Sequence, residues 1–194
     1  YRHSVCNELG NASSAKKSSK TSKGRSIFVH STLMIDAENV EEFIAALQEA
    51  KEAGSLNEVP VGAVIVFQGS VIARGHNLCE RLRDFTAHAE MQAFTSASEF
   101  IGGKFLDKCT LYVTLEPCPM CAGAGFWTRI GRIVYGAPDL KRGYRRWGVS
   151  QDKAGHGGQI GDNGLLHPKT IVTSGILEEE CSQLVKEFFI NKRK

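Results

Sequence analysis

The sequence predicts an α/β fold in which helices cover both faces of one sheet, and three observations lead there. Thr110 to Leu115 and Arg132 to Tyr135 are β-rich runs on either side of a helical stretch that opens near Cys118, a β, α, β succession joined by a crossover helix. Val61 to Phe67 and Val71 to Ala73 are connected through Gln68, Gly69 and Ser70 and read as a hairpin. Apolar residues recur at helical spacing at Val40, Phe43, Leu47 and Ala50, and again at Cys181, Leu184, Val185 and Phe188.

Taken in order, residues 11 to 26 read NASSAKKSSKTSKGRS, too poor in apolar groups to offset the entropy of ordering. A disordered basic tail is expected over residues 1–33, as a non-native addition, a targeting segment or an RNA-contacting arm, with Met34 as a sensible native start and residues 34–194 as one domain. The tail carries six Lys or Arg against Glu8, a charge of +5, so the overall +3 leaves −2 on the rest and the folded part is not broadly basic. Asp36 is the expected N-cap of the first helix and Gly54 its stop. The second helix is expected over Ala87 to Ser98. Residues 143–168 are rich in Gly and polar residues and show no period, the mark of a functional or mobile loop. Thr170 to Thr173 is read as a strand and the last helix as starting at Leu177.

At 194 residues, with 42% hydrophobic and 23% charged residues, the chain has the size and composition of one ordinary core. No run of about 18 apolar residues occurs, so no membrane partner is expected, and the absence of a secretory pattern implies a cytoplasmic protein with reduced thiols, or an organellar one if the tail is a native targeting segment. In that setting the six cysteines suggest metal or redox chemistry more than a disulfide framework.

Cys118, Pro119, Met120 and Cys121 place two thiols three residues apart, able to share one ion if they open a helix, where the positive end of the dipole stabilises thiolates. Alone, the pair fits a redox dithiol equally well. His88, Ala89 and Glu90 at the start of the preceding helix change that balance: two thiolates and one imidazole make a Cys2His zinc site with an open fourth position, and Glu90 is a carboxylate placed to shuttle protons without being a ligand. His-x-Glu followed by Pro-Cys-x-x-Cys is the signature of zinc-dependent nucleobase deaminases.

From about residue 40 onward the chain resembles the bacterial-type transfer RNA adenosine deaminase family of the cytidine deaminase superfamily. Glu58 to Val64 (EVPVGAV) is similar to that family's opening strand, Thr86 to Glu90 (TAHAE) to its histidine motif, and Leu111 to Cys121 (LYVTLEPCPMC), continued by Ala122, Gly123 and Ala124, to its cysteine motif. The resemblance implies a three-layer α/β/α cytidine-deaminase-like fold with a central mixed five-stranded sheet. It implies one Zn2+ per subunit on His88, Cys118 and Cys121, no organic cofactor, and a homodimer acting on the anticodon stem-loop of tRNA. The reaction implied is hydrolytic deamination of adenosine to inosine at the wobble position, with zinc-bound hydroxide attacking C6 of adenine and Glu90 carrying protons. Asn77, the backbone of Ala89, Val59 and Glu58 are carried over as substrate contacts, and Asp139 as facing the sugar-phosphate of a flipped nucleotide. The segment after Tyr144 is longer than the family's usual form.

Lys141, Arg142, Arg145 and Arg146, with Tyr144 and Trp147 between them, form a basic patch suited to phosphates and unpaired bases. Lys192, Arg193 and Lys194 could add phosphate contacts, and Phe188 and Phe189 read as core. Cys109 and Cys181 read as structural, while Cys79, two residues after Asn77, lies near the pocket. Three rival readings stand beside the main one: a deaminase of free small molecules such as guanine, which shares the fold and motifs; a zinc-holding partner subunit without activity, disfavoured by the presence of Glu90; and a redox dithiol protein.

Overall fold

A computed structural model describes residues 26–147 and 164–193. In chain order the elements are α1 (Ser26–Ser55), β1 (Gly62–Phe67), β2 (Ser70–His76), α2 (Cys79–Leu82), α3 (Ala89–Ile101), β3 (Cys109–Leu115), α4 (Pro119–Thr128), β4 (Arg132–Ala137), α5 (Tyr144–Trp147), β5 (Ile171–Ser174) and α6 (Glu178–Asn191). The strands form one sheet in the order β2-β1-β3-β4-β5, antiparallel across β2, β1 and β3 and parallel across β3, β4 and β5. This is the mixed five-stranded sheet expected.

The inner strands are buried on both sides, as a sheet covered twice requires. On β1, Ala63 and Ile65 enter one core and Val64 and Val66 the other; on β4, Ile133 and Tyr135 part from Val134 in the same way. The first core is closed by Ala89, Ala93, Phe94 and Ala97 of α3 and Ala122 of α4, the second by Phe43, Ala45 and Ala46 of α1 and Cys181 of α6. Helix α3 lies over β2 and β1, α1 over β1, β3 and β2, and α6 over β4 and β3, so the chain folds as a three-layer α/β/α sandwich. The alanines that α1 and α3 present to the sheet let these helices approach it closely.

The hairpin turns on Gln68 and Gly69, both at positive φ (51° and 74°), the two-residue geometry whose twist matches the flanking strands. Ser70 is already in β2, opposite Phe67, and β2 runs on to His76, longer than predicted. The first helix starts at Ser26, ten residues before the predicted cap, so Asp36 lies within it. The expected tail falls largely on residues 1–25, outside the described residues, as do residues 148–163 of the predicted loop and Lys194. Phe189 is 41% exposed, packed edge-on against Phe188 and not in the core, because α6 buries only the side led by Cys181.

Gly75 of β2 sits directly beneath the first turn of α3. A Cβ there would collide with the backbone carbonyl of Ala89 and come 2.9 Å from the Ala93 nitrogen. Gly75→Ala is therefore expected to lower stability by about 1–3 kcal/mol, as overpacking does. It should also shift His88 and Glu90, so that turnover falls further than a melting curve of the same variant accounts for.

Candidate active site

Two helices begin at one place. His88 is the N-cap of α3 and Cys118 the N-cap of α4, both with extended backbone, and Pro119 takes the first helical position of α4, where its missing N–H leaves no hydrogen bond unmade. Cys121 follows one turn into α4. Cys118 Sγ lies 3.6 Å from Cys121 Sγ and 3.6 Å from His88 Nδ1, and Cys121 Sγ lies 3.5 Å from His88 Nδ1. A tetrahedral zinc ion with bonds of about 2.3 Å to sulfur and about 2.0 Å to nitrogen has ligand edges of about 3.8 Å between sulfurs and about 3.5 Å between sulfur and nitrogen. The triangle is thus already the size of three corners of a tetrahedron, and among the described residues it is the one His, Cys, Asp or Glu group so gathered.

The two thiols of this triangle differ in protonation. Hydrogen bonding from the Cys121 thiol holds Cys118 far below the usual thiol range, at about 4, while the same bond, with burial, pushes Cys121 far up. The pair therefore holds one proton between two sulfurs, which a divalent cation would displace. His88 is raised by its hydrogen bond with Cys118.

Glu90, one residue inside α3, is 3% exposed, and burial raises its pKa above the usual carboxylate range. The carboxyl group thus lies beside the triangle without being one of its three members.

Two rims flank the triangle, and a buried carboxylate anchors each. The first is the segment from Asn77 to Ala87. Leu78 N–H donates to Ala87 O at 2.9 Å, which lays Asn77 alongside the turn that leads into His88. Asp84 Oδ1 accepts from Thr86 N (2.8 Å) and Thr86 Oγ1 (2.7 Å), fixing that turn and leaving Phe85 91% exposed at its tip. Glu58 lies beneath this rim with 0% exposure, accepting from Asn77 Nδ2 at 3.1 Å, Glu80 N at 3.2 Å and Arg81 N at 2.8 Å. Its carboxylate faces these three protein donors. Asn77 is itself buried, Val59 is half-buried, and Ala89 has no exposed surface beyond its place at the head of α3.

The second rim, Asp139 to Trp147, hangs on Glu116, two residues before Cys118. Glu116 accepts from Asp139 N (3.1 Å), Arg145 N (3.2 Å), Arg145 Nε (3.2 Å) and a terminal nitrogen of Arg145 (3.3 Å), and Tyr144 N–H donates to Pro117 O at 2.9 Å. Asp139 turns Oδ1 onto the N–H groups of Lys141 and Arg142, both at 2.9 Å, and so builds the turn that presents those two exposed cations. The basic patch is smaller than predicted. Arg145 is engaged by Glu116, and Tyr144 is 4% exposed, its ring in the first core, where burial pushes its hydroxyl up to about 12; it cannot stack on a base. Lys141, Arg142, Arg146 and Trp147 remain outward.

Sequence reasoning missed α2 and the anchoring role of both glutamates. Replacing Glu116 by Gln removes the charge from several N–H acceptor contacts at once and is expected to destabilise by about 1–3 kcal/mol. Faster hydrogen exchange at residues 139–147 than at α3 would locate the loss.

The family model of the MafB19-like deaminases matches residues 37–193. A tRNA-specific adenosine deaminase of Bacillus subtilis is 42% identical over 149 residues, 77% of this chain and 87% of its own length. The chloroplastic tRNA(adenine(34)) deaminase of Arabidopsis thaliana is 45% identical over 151 residues, 74% of this chain, although the match spans only 12% of that longer protein. Among solved structures, one from work on A-to-I editing by tRNA:A34 deaminases at the wobble position of transfer RNA superimposes with a TM-score of 0.64 at 39% identity, over 75% of this chain and 99% of the other. The guanine deaminase of Nitrosomonas europaea, at 24% identity and a TM-score of 0.62 over 76% and 82% of the two chains, shares the fold. With the ligand triangle, the buried Glu90 and the mixed sheet already in place, these likenesses settle the lineage: the chain belongs to the tRNA-specific adenosine deaminase family, a branch of the deaminase superfamily of enzymes.

Proposed function

We propose that this chain converts adenosine to inosine at the wobble position of a tRNA anticodon stem-loop, with one zinc ion per subunit on His88, Cys118 and Cys121. The observation that carries the chemistry is the tetrahedron-sized triangle of ligands beside a buried carboxyl group that is not one of them. The substrate follows from the relatives named as transfer RNA deaminases at 42% and 45% identity. When bound, zinc supplies a Lewis acid with an open fourth position, which makes water a competent nucleophile near neutral pH.

The chain's own residues do the rest. Glu90 takes a proton from the attacking water, gives it to N1 of the ring and then helps protonate the departing nitrogen, so that C6 gains oxygen and ammonia leaves. Asn77 and the backbone of Ala89 hold the edges of the base, and Val59 packs on its face. Lys141, Arg142 and Arg146 meet backbone phosphates, and Trp147 offers a ring to an unpaired base. A homodimer and a cytoplasmic location go with this reading, or an organellar one if residues 1–33 are a targeting segment; among the described residues no helix is long and apolar enough to cross a membrane.

The deciding experiment is a side-by-side assay of inosine formed in an anticodon stem-loop against ammonia released from free guanine, cytosine and adenosine. Inosine in the RNA, with little release from free bases, is the expected result. Turnover of a free base alone would replace this substrate with a small molecule.

A further inference from the structure

We infer that Glu58 is a positioning residue that sets the orientation of the Asn77 amide and thereby the polarity of the edge presented to the base. The inference rests on the reading that Asn77 touches the base.

Glu58 occupies the turn after α1, its own N–H bonded to Ala53 O at 3.0 Å, and it has no exposed surface. A glutamate buried this completely requires hydrogen bonds in place of water. Glu58 finds them in the first rim, at Asn77 Nδ2, Glu80 N and Arg81 N.

The consequence for Asn77 follows from the donor and acceptor inventory. Both Glu58 oxygens act as acceptors, Oε1 from Arg81 N and Oε2 from Glu80 N, so the group that Asn77 turns towards Oε2 is the NH2, which places Oδ1 on the other side. There the Cys79 thiol lies 3.3 Å from Oδ1 and donates to it. Both ends of the amide are thus assigned by chemistry. Its backbone is held as well, by Asn77 N–H to Val61 O at 3.1 Å and by the neighbouring Leu78 to Ala87 bond. One N–H and one lone pair of this amide remain for a ligand, in a fixed order. Purine edges differ in the order of donors and acceptors, so an amide that cannot flip discriminates between them and a flippable one does not. Glutamine at position 58 carries both a donor and an acceptor and would support either orientation.

The test is a double-mutant cycle with Glu58→Gln, Asn77→Ala and the double variant in the full chain, with metal content measured on all four proteins. Glu58→Gln is expected to lower kcat/KM about tenfold in the parent and by less than about twofold once Asn77 is alanine, since its effect passes through that side chain. Equal losses in both backgrounds, or no loss in the parent, would overturn the inference in favour of a purely structural role through Glu80 and Arg81. A second readout needs no variant. In the NMR spectrum of the parent, the two Nδ2 protons of Asn77 should be separated in shift and protected from solvent exchange, whereas rapid exchange would overturn the pinned amide. If the parent turns over only free guanine, the tRNA reading fails, and the cycle is run on guanine with the same criteria.

Discussion

Replacing Glu90 by glutamine is expected to slow turnover by about 10²–10⁴-fold, the span that one positioned proton shuttle contributes, while leaving the metal content of the purified protein unchanged. The side chain keeps its size and its buried place but can no longer exchange a proton. Loss of metal from the variant would make Glu90 a ligand or a scaffold, and parental activity would remove it from the chemistry. The direction of the pH response follows from burial, which raises the carboxyl group's pKa. The ionised form accepts the proton, so the parent should lose activity on the acid side at a pH above the ordinary glutamate range, and Glu90→Gln should lack that limb. Stability moves the other way. A carboxyl group whose folded pKa is raised stabilises the fold below its unfolded pKa and loses that contribution as pH rises through the folded value. In metal-free protein at neutral pH, Glu90→Gln should therefore melt no lower than the parent, the usual exchange of stability for activity at a working site.

The second large effect concerns the triangle. Cys121→Ser, or a chelator added to the parent, should abolish activity and lower the melting temperature. An ion present at about 1,000 times its dissociation constant stabilises the folded state by about 4 kcal/mol. For a domain of this size that corresponds to about 8–16 °C. Because Cys121 is held protonated by its neighbour and by burial while Cys118 is not, uptake of the ion at neutral pH should release at least one proton. Calorimetry in buffers of different ionisation enthalpy counts it. Metal affinity should accordingly weaken as the solution is acidified. Unchanged melting on chelation, together with a reversible Cys118–Cys121 disulfide, would return the redox reading.

What could be read in the sequence was what depends on spacing. His88, Cys118 and Cys121 stand at the heads of two helices because a His before an alanine-rich helix and a Cys-Pro before another are local features. The alternating faces of β1 and β4 are equally local, as are the apolar positions of α1. The anchors were not legible for a physical reason. Glu58 and Glu116 are single acids whose partners are chiefly backbone N–H groups some twenty or more residues away, and any residue but proline supplies such a donor. Tyr144 misled in the same way: flanked by Gly143 and Arg145 it resembles an exposed stacking residue, and only the return of the chain onto Pro117 turns its ring inward. The helical start at Ser26 escaped because residues 26–35 carry no clean apolar period.

The two submerged carboxylates have an evolutionary consequence. With both rims fastened by Glu58 and Glu116, the exposed side chains along them, such as Arg81, Leu82 and Phe85 on one and Leu140, Lys141 and Arg142 on the other, are released from holding the fold together. Those positions can drift, or be randomised in a library, without disturbing the reacting centre. A lineage built this way can acquire new substrates by repainting its rims while its chemistry stands still.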